Sequence, residues 1–140
     1  NFRLGFALGV ISHGTTGWMN VRTEVSAFQI GPASFITIPG EIYPEIVNGG
    51  VVSPPGQDFA ISPLEVPPLR SFMQGKFKFV FGLANDEIGY IIPKSEWDEK
   101  PPYLYNDDES PYGEENSIGP EAAPIVYKSL IELLGSLYND

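Results

Sequence analysis

Prolines and glycines divide this chain into short segments and allow only one long helical pattern, which lies near the C terminus. The 140 residues include 14 prolines and 15 glycines, more than ordinary usage provides. Five of the prolines fall within residues 51–75, and three more fall within residues 99–118. Both stretches lack apolar periodicity, so they predict two long loops, which in a compact domain are usually functional or mobile.

Periodicity in the remaining segments predicts the strands. Apolar and polar residues alternate in three of the candidate strands, and a short apolar run marks a fourth. The predicted strands are residues 2–10, 21–30, 33–38 and 76–83. Gly31-Pro32 separates the second from the third, so residues 21–38 are expected to form a hairpin.

The helices complete an α/β fold with a mixed sheet, long loops and a C-terminal helix. Residues 121–138 place five apolar side chains on one helical face and begin after Gly119-Pro120. A short helix is predicted from Glu41 to about Val47, and a turn with a short helical stretch at 84–98, cut by Pro93. The length suits about one domain.

Composition excludes several classes of function. The formal net charge is -10, which disfavours binding to nucleic acid. No apolar stretch of about 18 residues is present, so the chain is not expected to be transmembrane. The absence of cysteine excludes disulfides and thiolate zinc sites. The single histidine, His13, cannot supply the usual ligands of a catalytic zinc, so any zinc here needs ligands from elsewhere.

Three places could carry chemistry, and each also has a purely structural interpretation. Glu41 follows Pro39-Gly40 after a buried strand, where an acid could simply stabilise a helix start. Tyr90 follows the exit of the predicted strand at 76–83, but could be a half-buried tyrosine bonded to a backbone carbonyl. Residues 111–120 could be a solvated acidic loop before a helix. Asn106, Asp107, Asp108 and Glu109 offer oxygen ligands but lack the ligand spacing of a calcium loop.

Together, and in this order, these motifs resemble one family. The stretches ITIPGEI, GLANDEIGYIIPKSEWD and YGEENSIGPEAAPI are similar to the C-terminal portion of the catalytic domain of neutral and alkaline, non-lysosomal ceramidases. The resemblance covers roughly residues 22–135 and is loosest at 50–75 and 99–111. Residues 1–20 show no clear counterpart. Because the chain begins at Asn1, we expect it to be part of a longer polypeptide.

The resemblance implies a zinc amidohydrolase whose metal is held by two histidines, a glutamate and a tyrosine. It assigns Glu41 and Tyr90 as the zinc ligands of this chain, and Tyr112 as the residue that contacts the substrate amide. Tyr103 and Tyr105 are alternatives to Tyr112. The two histidines are expected from an upstream portion of the same precursor or from a second chain. His13 lies in no recognisable histidine motif of the family and is interpreted as a loop residue packed near Trp18.

The implied function is hydrolysis of an N-acyl amide, with a ceramide-like lipid giving a fatty acid and a sphingoid amine. This chain alone is expected to be inactive, since its zinc site is incomplete. The resemblance also suggests a secreted, periplasmic or cell-surface protein. Two alternatives remain open: an amidase for a different, more polar amide, and a non-catalytic folded fragment or partner-binding subunit. The apolar residues of the 51–75 loop could line an acyl path or be ordinary packing.

Overall fold

The computed structural model describes residues 21–139, which form short strands and helices and one long C-terminal helix. The strand predicted at 2–10 and the loop predicted around His13 lie outside the described residues. The strands are β1 (Ser26–Ile30), β2 (Ala33–Thr37), β3 (Glu41–Ile42), β4 (Phe77–Phe81) and β5 (Tyr90–Ile91). The helices are α1 (Pro44–Asn48), α2 (Leu69–Phe72), α3 (Tyr112–Glu115) and α4 (Ala122–Asn139), with single 3-10 turns at Lys94–Glu96 and Leu104–Asn106.

The larger sheet has three strands in the order β1-β2-β4 and mixes the two kinds of pairing. Strands β1 and β2 form the predicted antiparallel hairpin, and β4 adds to β2 in parallel. The two-residue turn between Ile30 and Ala33 needs a positive φ at its first position, and Gly31 supplies it at +54°. The predicted mixed α/β fold is therefore confirmed.

One face of this sheet packs on α4 to form the core. Ile36 of β2 is fully buried in the same apolar cluster as Leu130 and Leu134 of the helix. The hydroxyls of Ser34 and Tyr138 share a hydrogen bond between the sheet and the end of α4. The predicted amphipathic helix thus buries its apolar side. Among residues 21–139, no helix is long and apolar enough to cross a membrane.

The opposite face of the same sheet is aromatic and largely exposed. The Phe28, Phe35 and Phe79 rings lie side by side across the three strands, with centroid distances of 4.9 and 5.1 Å between neighbours. Phe81 and Phe77 extend the patch along β4 and are about half exposed. We call the exposed side chains of Phe28, Ile30, Phe77, Phe79 and Phe81, together with the Phe35 ring between them, the aromatic face.

The second sheet was not predicted. It consists only of the parallel pair β3-β5, two residues each. The predicted helix start at Glu41 is wrong, because Glu41 belongs to β3 and the helix begins at Pro44, whose ring suits the first helical turn. The predicted strand at 21–30 is also shorter than expected, since β1 begins only at Ser26. The predicted loops at 51–75 and 99–118 each contain a short helix, α2 and α3 respectively.

Candidate functional site

Glu41 is fixed by a close approach between two backbone segments. A Cβ on Gly40 would lie only 2.3 Å from the Gly89 carbonyl oxygen, so a glycine is required there for the segments to meet. The same oxygen accepts a hydrogen bond from the Glu41 N–H at 3.0 Å. Pro39 and Gly40 thus bring Glu41 alongside the chain that carries Tyr90, which gives the Pro-Gly-Glu sequence a structural reason.

The pairing of β3 with β5 brings Glu41 and Tyr90 together. The two residues are direct partners in the parallel register, so their side chains leave the pair on the same side. A hydrogen bond to the Glu41 carboxylate raises the pKa of the Tyr90 hydroxyl, and burial and the charge of Glu41 act in the same direction. The two side chains therefore interact on the same side of the strand pair.

Tyr112 joins this pair from α3. Its ring is edge-on to the Tyr90 ring at a centroid distance of 5.8 Å, and 71% of the residue's surface is exposed. Gly113 allows α3 to approach, because a Cβ there would lie 2.8 Å from the Tyr43 hydroxyl. The three residues predicted from the sequence, Glu41, Tyr90 and Tyr112, therefore form one surface cluster. Tyr105, an alternative to Tyr112, lies beside a separate cavity.

Tyr43 stands between that cluster and the cavity and was not predicted as a site residue. Its ring is edge-on to Tyr90 at 6.5 Å. Burial raises the pKa of Tyr43 to about 12, and the nearby carboxylates of Glu114 and Glu96 add to the effect. The hydroxyl consequently keeps its proton at physiological pH. The position of Tyr43, two residues after Glu41, was the signal that sequence reasoning overlooked.

The cavity behind Tyr43 has a volume of about 190 Å³ and is rich in carboxylates. The acidic and tyrosine residues that line it are Tyr43, Glu96, Asp98, Tyr105, Asp107 and Glu114. Burial raises the pKa of Glu114 to about 7; backbone hydrogen bonds oppose the shift, and the charges of Asp98 and Asp58 reinforce it. None of these acids was predicted as a site residue: Asp107 lies in the stretch rejected as a calcium loop, and Glu114 lies in the stretch interpreted as a solvated acidic loop.

The Glu41–Tyr90 pair fits the oxygen half of the zinc site that the sequence implies. A carboxylate and a phenol that are direct partners in one strand pair provide two oxygen ligands of the kind that zinc accepts. The residues at 21–139 contain no group of three or more histidine, cysteine, aspartate or glutamate side chains able to hold a metal ion. Additional ligands would have to come from outside these residues, and His13 lies outside them.

Comparisons of the chain with protein families, with curated proteins and with solved structures find no match.

Proposed function

We propose that this chain supplies the oxygen ligands and a substrate-contacting tyrosine to a zinc-dependent hydrolase of N-acyl amides. The observation that carries the proposal is the pairing of Glu41 with Tyr90 in the β3-β5 register, with the Tyr112 ring against Tyr90. Three residues from distant parts of the sequence meet at one exposed place, and their chemistry is that of the implied site. The substrate class, a ceramide-like lipid amide, rests on the sequence resemblance.

Each residue has a distinct role in this proposal. Glu41 and Tyr90 would hold the zinc, which when bound polarises an amide carbonyl and lowers the pKa of a bound water. Tyr90 has to lose its hydroxyl proton to bind the metal, because metal ligands bind in their deprotonated form. Tyr112 is exposed and keeps its hydroxyl free to donate a hydrogen bond to the oxyanion that develops on the substrate.

Two substitutions separate these roles in the protein that also contains the histidine-bearing portion. Tyr112→Phe is expected to leave zinc content unchanged and to lower kcat by about 100- to 1000-fold, the usual cost of losing one oxyanion donor. Glu41→Gln is expected to lower both zinc content and activity. Zinc is measured by elemental analysis and turnover with an N-acyl sphingoid substrate. Full activity of Glu41→Gln would refute the assignment.

The isolated chain provides the complementary test. It is expected to bind zinc weakly and to hydrolyse no N-acyl amide at a measurable rate, because two oxygen ligands leave the site incomplete. Addition of the upstream portion, in the same polypeptide or as a second chain, should restore stoichiometric zinc. Tight one-to-one zinc binding by the isolated chain would show that the ligands are misassigned.

A partner-binding, non-catalytic role is the second candidate, and the aromatic face favours it. Phe28, Phe77, Phe79 and Phe81 are each 39–48% exposed and adjoin one another on one sheet surface. Contiguous exposed apolar patches of this kind are uncommon in monomers and usually mark an interaction surface. A protein that binds a partner through this face but gains neither zinc nor activity from it would belong to this second class.

A further inference from the structure

The outward-facing side chains of the larger sheet form three rows across its strands, and two of these rows are entirely apolar. Side chains two positions apart on a strand share a face, so the register defines the rows. From β1 to β4 the rows are Ile30-Ala33-Phe77, Phe28-Phe35-Phe79 and Ser26-Thr37-Phe81. In the middle row, neighbouring rings stack with interplanar angles of 8° and 16°, so the aromatic face is a continuous hydrocarbon surface.

The two hydroxyls in the third row are already hydrogen-bonded within the protein. The Thr37 oxygen accepts a hydrogen bond from the Asn85 side-chain amide at 2.9 Å and another from the Ser26 N–H at 3.1 Å. The same amide donates to the Ser26 hydroxyl oxygen at 3.5 Å. Protein–protein interfaces combine apolar contact with about one hydrogen bond per 100–200 Å². A face whose polar side chains are engaged in this way is better suited to a partner that offers only hydrocarbon.

The distribution of charge also favours a lipid. None of the 18 acidic residues of the chain falls within the strands of this sheet or within the turn between β1 and β2, although the net charge is -10. Lys76 borders the aromatic face, with its Nζ 5.4 Å from the centroid of the Phe77 ring. A lysine in such a place can hold its ammonium at the level of phospholipid phosphates while the neighbouring rings enter the hydrocarbon.

The aromatic face also leads to the candidate site. Beyond the exposed phenylalanines of β4 the chain continues with Leu83, which is 52% exposed. The Leu83 N–H donates a hydrogen bond to the Gly40 carbonyl oxygen at 3.1 Å, and Gly40 directly precedes Glu41. A molecule that leaves a lipid surface at this end of the aromatic face is therefore next to Glu41.

We propose that the aromatic face docks on the surface of a phospholipid bilayer. Its phenylalanine rings enter the outer part of the hydrocarbon region, and Lys76 lies at the level of the phosphates. Large exposed apolar patches mark membrane as well as protein interaction sites, and the engaged hydroxyls and the lack of acids favour the membrane here. That docking serves to deliver a lipid amide to Glu41 rests on the proposed function; docking itself requires neither zinc nor the Glu41–Tyr90–Tyr112 cluster.

The first test locates the inserted surface with two tryptophan reporters in the full chain. Phe79→Trp places the reporter on the aromatic face, and Ile125→Trp places it on α4, where Ile125 is 62% exposed. On addition of vesicles of palmitoyl-oleoyl-phosphatidylcholine, the emission of the Phe79→Trp variant should shift to shorter wavelength and be quenched by brominated lipid. The Ile125→Trp variant should show neither change beyond that of the unmodified chain, whose own two tryptophans set the background.

The second test measures the partition of the chain onto the same vesicles by co-sedimentation. The double substitution Phe79→Gln and Phe81→Gln should lower the partition coefficient at least about tenfold, because two half-exposed rings lose their transfer into hydrocarbon. Ile125→Gln with Leu133→Gln removes two exposed apolar side chains from α4 and is the matched control, expected to leave partition unchanged. All four positions are exposed, so both variants are expected to fold, which circular dichroism verifies.

The proposal is overturned if the unmodified chain does not bind the vesicles, or if the double phenylalanine variant binds them equally well. It is also overturned if the tryptophan at position 79 emits as a buried residue before lipid is added, since residues 1–20 or a second copy would then already cover the aromatic face. None of these results bears on the zinc site, which is tested through zinc content and the Glu41 and Tyr112 variants. Vesicle binding by a protein that gains neither zinc nor activity would refute the hydrolase and leave the docking surface standing.

Discussion

The two sheets of this protein present opposite kinds of surface. In the β1-β2-β4 sheet, Ser34 and Ile36 on the inner face are buried on the side of α4, and the outer face carries exposed phenylalanines. In the β3-β5 pair, Ile91 faces the core, and Glu41 and Tyr90 leave on the other side. The aromatic face is apolar, so its exposure to water is unfavourable and it is expected to be buried by a binding partner. The surface around Glu41 and Tyr90 is polar and compatible with water, so it is expected to stay accessible to a ligand.

The largest expected change in stability is at the buried face of the larger sheet, compared with its exposed face. Ile36→Ala should lower the free energy of unfolding by about 2–5 kcal/mol, because Ile36 is fully buried beneath α4. Phe79→Ala, on the opposite face in a neighbouring strand, should cost roughly 1–2 kcal/mol, since the side chain is about half exposed. Urea denaturation of both variants measures the difference.

An equal loss of unfolding free energy for Ile36→Ala and Phe79→Ala would contradict the difference between the two faces of the sheet. It would mean that the aromatic face is buried in solution, either by residues outside 21–139 or by a second molecule. Repeating the Phe79→Ala measurement at several protein concentrations separates these two origins, because only association with a second molecule depends on concentration. Lys76→Ala, at the exposed position immediately before β4, serves as the control and should change stability little.

The second prediction concerns the polar side of the molecule, where buried acids should make stability depend on pH. Burial raises the pKa of Glu114 from 4.5 to about 7, so the native state binds more protons than the unfolded chain between these values. The contribution of Glu114 to the free energy of unfolding is then most favourable below about pH 4.5 and falls as the pH rises to about 7. Burial also raises the pKa of Glu65 and of Glu96, which adds to the same trend.

Glu114→Gln isolates the contribution of one acid. At pH 8 it should stabilise the protein by up to about 3 kcal/mol, from 1.36 kcal/mol for each pKa unit, and near pH 4.5 it should have little effect. Asp98, Asp58 and Tyr43 face Glu114 and remain unchanged in the variant. Thermal unfolding of both proteins across this pH range provides the comparison. A stability difference that does not change with pH would show that Glu114 titrates normally and is open to solvent.

The sequence predicted elements that have a recognisable pattern of apolar residues and missed those that depend on contact between distant segments. Strand β4 and helix α4 were visible because their apolar residues recur at a regular spacing, and β2 was visible as a short apolar run. Strands β3 and β5 are two residues long, too short for any period, and they exist because Gly40 lets the backbone reach the Gly89 carbonyl. The meeting of Glu41, Tyr90 and Tyr112 was predicted through a family resemblance, not through periodicity.

The acidic cavity could not be predicted for the same reason. Glu114 is one of several acids near α3, and nothing in its immediate sequence marks it as buried while Glu115 is exposed. Burial follows from Gly113, which lets the helix settle against Tyr43, and from the Asp98 backbone N–H, which fixes one carboxylate oxygen. Both are contacts across the fold, so only the assembled structure distinguishes the two neighbouring glutamates.

The smallest expected effect on stability is at the Glu41–Tyr90 pair. This prediction tests whether the surface of the β3-β5 sheet contributes to ligand binding and not to stability. Glu41 is exposed, so Glu41→Gln should change the free energy of unfolding by no more than about 0.5 kcal/mol. If the proposed zinc site forms together with histidines from outside residues 21–139, the same substitution should weaken zinc binding by at least about tenfold, since even indirect partners of a metal contribute that much. Tyr90→Phe should behave alike, because it removes the phenol oxygen and keeps the ring that packs against Tyr112. Glu115→Gln removes an exposed carboxylate from the helix that carries Tyr112 and is the matched control, expected to leave zinc binding intact. Unfolding in urea and competition with a zinc chelator measure the two quantities separately. A large loss of stability with unchanged zinc affinity would mean that the pair holds β3 to β5 and takes no part in metal binding.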